Sequence, residues 1–300
     1  MALLSGKVLF EKANEHGFAV GAFNFSNMEF LKAILEVAQE EEAPVFIQTS
    51  ESAIKYAGIK FLAGMVHSVR DDFKVPFALH LDHGRSVETV LLALRHGYTS
   101  VMIDMSDRGF EENVEITRKV VSLCAPLNVS VEAELGVLGS DELTGPEEAK
   151  KFVLRTGIDA LAPAIGTAHG ILKFKKEASI DIERLKEIKA LTNMPLVLHG
   201  ASGVYYEYVA EINRYGGDIR EAKGLPDSML RKAIEEGINK VNTDTDLRLA
   251  FIASLRRLMH EDRSQTDPRK LIKPAMDEVK EVIKRRLRLY GSSGKAHLFL

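Results

Sequence analysis

His83, His169 and His199 lie far apart in the chain, yet each closes a short apolar run. Val75-Pro76-Phe77-Ala78-Leu79 leads into His80-Leu81-Asp82-His83-Gly84. Ile158-Asp159-Ala160-Leu161-Ala162 leads toward Ile165-Gly166-Thr167-Ala168-His169-Gly170, and Pro195-Leu196-Val197-Leu198 into His199-Gly200-Ala201-Ser202. Three neutral imidazoles are a common set for a catalytic Zn2+ and leave a coordination position open for substrate. Asp82 directly precedes His83, and a carboxylate beside a metal ligand suits acid/base work at a polarised carbonyl. The alternative is three unrelated helix caps, with Asp82 and His83 capping the helix that follows them. Asp104 and Glu134 also close apolar runs, and suit either a second metal position or the orientation of the imidazoles. His80 stands three residues before His83 in the same run, so it is expected deeper in the fold, in a packing or supporting role. The other five of the nine histidines, His16, His67, His96, His260 and His297, fall on expected helices or the tail and read as surface residues.

These groups converge only if the runs are strands whose ends meet. Apolar runs alternate with segments of helical period along the whole chain, for example Met28, Leu31, Ile34, Leu35 and Ala38 after the Asn27 cap. Expected helices cover 6–15, 27–42, 58–72, 86–96, 110–124, a segment opened by Gly145-Pro146, 181–191, 205–214 and 246–260. Eight strand–helix units without a linker predict an α/β fold, a (β/α)8 TIM barrel, as a single domain over 1–300. No GxGxxG follows the first strand, which counts against a dinucleotide-binding sheet. Asp267-Pro268 starts an additional C-terminal helix over 267–291, with Ile272, Met276, Val279, Ile283 and Leu287 on one face. It is expected on the outside of the barrel or against another subunit, and its basic run Lys284-Arg285-Arg286-Leu287-Arg288 reads as a solvated face.

Composition narrows the function. A net charge of −3 argues against nucleic-acid binding, and 45% hydrophobic and 28% charged residues are ordinary for a globular chain of 300 residues. No run is long enough for a membrane span and no signal peptide is read, so a cytoplasmic protein is expected. Cys124 is the only cysteine, which excludes an intrachain disulfide; placed in mid-helix, it is a poor ligand. Gly170, Gly200-Ala201-Ser202 and Asn242-Thr243-Asp244-Thr245 put small or hydroxylated residues where helices begin, and backbone N–H groups at such turns bind phosphate. Asp244 and Asp246 would repel a phosphate if they pointed inward, so capping or sugar-hydroxyl contacts are expected of them.

Taken with Val20-Gly21-Ala22-Phe23-Asn24, Ser100-Val101-Met102-Ile103-Asp104, Val131-Glu132-Ala133-Glu134-Leu135-Gly136 and Asp246-Leu247-Arg248, these motifs resemble, over residues 4–295, the class II zinc-dependent fructose-bisphosphate aldolases and their tagatose-bisphosphate relatives. The resemblance implies reversible cleavage of fructose 1,6-bisphosphate to dihydroxyacetone phosphate and glyceraldehyde 3-phosphate through a zinc-stabilised enediolate, as in glycolysis and gluconeogenesis. It implies Zn2+ on His83, His169 and His199, with Asp82 as the acid/base at the aldehyde oxygen. Asp104 and Glu134 match a second divalent position. Gly170, Gly200, Ala201, Ser202, Asn242, Thr243, Asp244 and Thr245 match the dihydroxyacetone-phosphate site, where a monovalent cation (Na+ or K+) assists. Asn24 and Ser50 are further substrate contacts, Ser50 on the glyceraldehyde-3-phosphate half. Arg248, with Arg256 as second choice, matches a distal-phosphate contact from a neighbouring subunit, which implies a homodimer or homotetramer.

Two departures stand out. Only residues 137–144 separate Gly136 from the next helix, where the family has a longer acidic loop; Glu142 there matches the carboxylate that abstracts the substrate proton. Asp107 stands where close relatives have histidine. The alternatives are a tagatose-1,6-bisphosphate aldolase, a non-catalytic sugar-phosphate-binding barrel, a zinc hydrolase, and a Schiff-base aldolase using Lys240, the only lysine on an expected strand. The hydrolase reading lacks the usual His-x-His pair on the first strand.

Overall fold

The computed structural model describes residues 2–139, 142–168, 179–220 and 222–299. Eight strands, β1 (Val20–Asn24), β2 (Val45–Ser50), β3 (Phe77–Gly84), β4 (Ser100–Ile103), β5 (Ser130–Leu135), β6 (Ala160–Pro163), β7 (Leu196–Leu198) and β8 (Ile238–Thr243), form a closed parallel barrel in sequence order. Closure comes from β8 pairing with β1, Val20 opposite Lys240 and Ala22 opposite Asn242. The helices among the described residues are α1 (Gly6–His16), α2 (Met28–Glu40), α3 (Glu51–Ala57), α4 (Ile59–Val69), α5 (Val87–Arg95), α6 (Phe110–Cys124), α7 (Pro146–Thr156), α8 (Ile182–Thr192), α9 (Tyr206–Arg214), α10 (Asp227–Glu235), α11 (Thr245–Glu261) and α12 (Pro268–Tyr290). None is long and apolar enough to cross a membrane.

Most of these elements follow from local signals. Asn27 and Ser86 cap α2 and α5 with their side-chain oxygens, and Pro146 opens α7. Two helices escaped the sequence reading: α3, a single amphipathic stretch capped by Ser50, and α10, which follows a long connection after α9. Cys124 is the last residue of α6, not in its middle, and is buried.

Alternating strand residues face in and out. The inward set fills the barrel in layers. At the floor, Val20, Ala22, Phe46, Ala78, Ala160 and Val197 pack on Leu9, Phe10 and Ala13 of α1, which closes the end remote from the mouth. The outward set meets the helices in the larger core. α12 is capped by Asp267, ends at Gly291 with φ +71°, and packs on α11, α2 and β1. Its basic run corrects an expectation. Arg286 is fully buried, whereas Arg285 and Arg288 are exposed as expected and, with Lys284, pair with Glu207, Glu41 and Glu40 at the surface.

Candidate metal centre and substrate site

The end of β3 carries two adjacent polar groups that a regular strand would send to opposite faces. Strict alternation aims His80 and Asp82 inward and His83 outward. His83 instead has φ +52°, and the pairing of β3 with β4 shifts register between Leu81 and Gly84. A left-handed backbone at a non-glycine residue costs about 1–2 kcal/mol. Gly84 follows because a Cβ there would come within 2.8 Å of the Met102 carbonyl oxygen. The bulge brings His83 to the mouth, where its Nδ1 donates to Asp104 Oδ2 at 2.7 Å. Burial works to raise Asp104, but the His83 and Ser106 hydrogen bonds and the Arg85 guanidinium at 3.0 Å outweigh it and hold the carboxyl well below the usual range. Asp82 and His83 are therefore not caps: Ser86 caps α5.

His199, at the end of β7, lies between two buried carboxylates of β5. Its Nδ1 donates to Glu134 Oε2 and its Nε2 to Glu132 Oε1, both at 2.9 Å. Burial pulls the imidazole down, yet these two bonds outweigh it and push the pKa up to about 10. A ligating imidazole must be neutral, so this proton would have to leave before the ring could bind a metal. The rings of His83 and His199 are 4.6 Å apart.

Below this level sits a buried ionic layer. Lys240 Nζ donates to Glu132 Oε2 at 2.8 Å, with His80 Nε2 3.4 Å away and the Phe46 ring 5.5 Å beneath. His80 Nδ1 bonds Ser100 Oγ at 2.7 Å; burial, then the Lys240 charge, lowers its pKa to about 3. His80 thus occupies the deep supporting position expected of it. Lys240 faces inward but is sealed and committed to Glu132, which removes it as a Schiff-base nucleophile. Lys240→Met is expected to destabilise the fold by about 3 kcal/mol, since it takes the ammonium from a buried carboxylate and leaves His199 as its remaining close partner. Urea unfolding checks this, and a loss below about 1 kcal/mol would mean that Glu132 does not need the ammonium.

Asp82 is clamped from both sides. Asn24 Nδ2 donates to its Oδ2 at 2.8 Å and Asn242 Nδ2 to its Oδ1 at 3.0 Å, while Gln48 Nε2 donates to Asn24 Oδ1 at 2.7 Å and sets that amide's orientation. Burial would raise the carboxyl; the His83, Lys240 and His199 charges and the Asn24 bond bring it below its ordinary value. Sequence reasoning places Gln48 at a strand end without giving it a role, and misses Glu132 and the structural task of Lys240. The spacing of Glu132 and Glu134 held the clue, because residues two apart on a strand share a face.

The remaining site residues fall around the same mouth. Ser50 pairs in register with Asp82 and caps α3 through Ala53 N–H. Gly200 has φ +65°, and a Cβ on it would strike the Ala168 carbonyl oxygen. Ala201 and Ser202 are buried in the same turn. At the end of β8, Thr243 Oγ1 bonds Tyr290 at 2.6 Å, Asp244 pairs with Arg248 at 2.6 Å, and Thr245 begins α11. Arg248 is 66% exposed, and Arg256 donates to the Tyr215 carbonyl. Glu142 is exposed and lines a small cavity with Ser106, the partner of Asp104. His169 and Gly170 lie outside the described residues. Asp246 corrects an expectation: it does not cap its own helix, and its buried carboxylate is occupied within the protein, accepting from Gly203 and Val204 N–H and from Arg286.

One donor atom each from His83, Glu134 and His199 lies within 4.8 Å of the others. A tetrahedral divalent ion with ligand distances of about 2.0–2.2 Å would hold its donors about 3.4 Å apart, a span of the same order as this set. These donor types beside the carboxylate of Asp82 are of the kind that serves metal-assisted chemistry.

Comparisons with known proteins agree. The family model described as "Fructose-bisphosphate aldolase class-II" matches residues 5–295. Fructose-bisphosphate aldolases of Helicobacter pylori (strain 26695) and Thermus caldophilus are each 49% identical, over 98% of this chain and 99% and 100% of theirs. Among solved structures, the YdjI aldolase of Escherichia coli K12 matches with a TM-score of 0.83 and 32% identity, over 98% of this chain and 99% of that one. The chain belongs to the class II fructose-bisphosphate aldolases, a family of metal-dependent lyases.

Proposed function

We propose that this chain cleaves fructose 1,6-bisphosphate reversibly to dihydroxyacetone phosphate and glyceraldehyde 3-phosphate, with Zn2+ as its metal. The observation that carries the reading is the meeting of His83, His199 and Glu134 at the mouth beside the clamped carboxylate of Asp82, in a chain with full-length aldolase relatives. His83, His169 and His199 would hold the ion; Asp104 and Glu134 fix the rings of His83 and His199 through their hydrogen bonds, and supply the carboxylates for a second divalent position. When bound, Zn2+ would act as a Lewis acid on the ketone end of the substrate, favouring negative charge there.

The protein's own groups do the rest. In cleavage Asp82 takes the proton from the hydroxyl on the carbon that becomes the aldehyde, the carbon–carbon bond breaks toward the ketone half, and that half is reprotonated at carbon. Glu142 is the group proposed to move the proton at that carbon. In condensation Asp82 returns its proton to the new hydroxyl. Asn24 and Asn242 keep the carboxylate aimed while its charge changes. Gly170, Gly200, Ala201, Ser202, Asn242, Thr243, Asp244 and Thr245 hold the phosphate of the ketone half, with a monovalent cation beside it, and Ser50 meets the aldehyde half. For Thr243 and Asp244 that contact falls to the backbone, since the Thr243 hydroxyl bonds Tyr290 and the Asp244 carboxylate pairs with Arg248. Holding both ends keeps the reacting carbons in register. The exposed Arg248 is proposed to serve the distal phosphate of a neighbouring subunit in a homodimer or homotetramer, and a single domain acting in the cytoplasm is proposed.

A coupled cleavage assay on fructose 1,6-bisphosphate and tagatose 1,6-bisphosphate, with and without chelator, tests this. Fructose 1,6-bisphosphate should be the better substrate, activity should vanish on chelation, and Zn2+ should restore it. Cleavage that survives complete metal removal would sink the proposal.

A further inference from the structure

The outer helix α12 reaches both phosphate turns from behind. Arg286 and Tyr290 are four residues apart, so they share the helix face turned to the barrel, and both are buried. Tyr290 bonds Thr243 at the end of β8. Arg286 Nη2 lies 2.6 Å from Asp246 Oδ2, in the first turn of α11. Asp246 in turn accepts the backbone N–H of Gly203 at 3.0 Å and of Val204 at 2.8 Å, in the turn after β7. One carboxylate therefore spans the two turns, and one guanidinium from outside the barrel holds that carboxylate.

Two local features say that this turn is held and does not merely rest there. Val204 has φ +47°, a conformation that a β-branched residue avoids and keeps only where its surroundings impose it. A side chain at Gly203 would displace the Arg286 guanidinium, since a Cβ would come within 2.5 Å of Arg286 Nη2. Next to the turn, the Arg285 and Arg286 guanidinium groups lie 3.6 and 4.8 Å from the Tyr205 ring centre, and Asp227 bonds both arginines. Charge matters as well. An isolated carboxylate one turn below Asn242 and Thr243 would repel an incoming phosphate; paired with Arg286, it does not.

We propose that Asp246 and Arg286 form an internal brace that presets the turns after β7 and β8 for the substrate's phosphate, making both positioning residues and α12 part of the binding apparatus. This deepens the aldolase reading and rests on its assignment of those turns to phosphate.

The test uses Arg286→Lys, which keeps a positive charge but loses the forked geometry, and Asp246→Asn, which keeps the shape. Each is assayed well below its melting midpoint for KM and kcat on fructose 1,6-bisphosphate, for affinity toward inorganic phosphate, and for affinity toward Zn2+. The expected result is a loss of about tenfold or more in phosphate affinity, with KM raised in step and Zn2+ affinity within twofold of the parent. An unchanged KM and phosphate affinity in a folded variant overturns the brace; so does an equal loss of Zn2+ affinity, which would mean general loosening. Hydrogen exchange on the unaltered protein needs no variant: Gly203 and Val204 amides should be protected before phosphate is added, and exchange at open-loop rates refutes a preset turn. A parent protein that binds phosphate without cleaving the sugar would refute the aldolase reading alone.

Discussion

His83→Ala should yield a folded protein that retains no stoichiometric metal and cleaves fructose 1,6-bisphosphate at least about a thousandfold more slowly. Lewis-acid stabilisation is worth several kcal/mol, and each 1.36 kcal/mol is about a factor of ten in rate. The fold should survive because the ring is only partly enclosed and Asp104 keeps Ser106 and Arg85 when it is gone. Alanine does add strain at φ +52°. His83→Asn controls for that, since asparagine tolerates the left-handed region better. Both variants should lose the metal, as measured by elemental analysis after gel filtration. Full metal content in His83→Asn would show that the ion is held elsewhere.

Asp82→Ala should do the opposite to the metal and nearly as much harm to the rate. His83 and His199 keep their own partners, Asp104 and Glu134, so metal content should stay within experimental scatter of the parent. Turnover should fall by about 10²–10⁴, the usual worth of a positioned acid/base. The assignment can be read more finely. Asp82 is placed at the aldehyde oxygen, so exchange of the methylene proton of dihydroxyacetone phosphate with solvent deuterium, which involves no aldehyde, should persist. If that exchange collapses in parallel with cleavage, Asp82 acts on the ketone half and its role must be reassigned.

The two variants separate because the mouth is built from independent supports. Asp104 and Glu134 hold the imidazoles, while Asn24 and Asn242 hold the acid/base. Of these supports, the positions of Asn24, Asp104, Glu134 and Asn242 at strand ends were visible in the sequence. Their pairings were not, because each hydrogen bond joins strands whose registers no local pattern states.

What the sequence determined by itself was periodic and local. Continuous apolar runs alternating with helical stripes specify parallel strands under helices, and eight repeats specify closure. The same regularity places polar residues at strand ends and so at one face, which is why His83, His199, Asp82 and Glu134 could be grouped before any coordinates. The tertiary structure decided the rest. Strand alternation would have turned His83 away from Asp82; a bulge against β4 and a left-handed backbone turned it back. The basic run of α12 reads as a wet surface, yet Arg286 is fully buried because Asp246 and Asp227 wait beneath it. Glu132 reads as an ordinary strand residue and Lys240 as a candidate nucleophile until the barrel closes and brings them within 2.8 Å. Burial of a charge depends on a partner far away in the chain, and only the closed barrel supplies that partner.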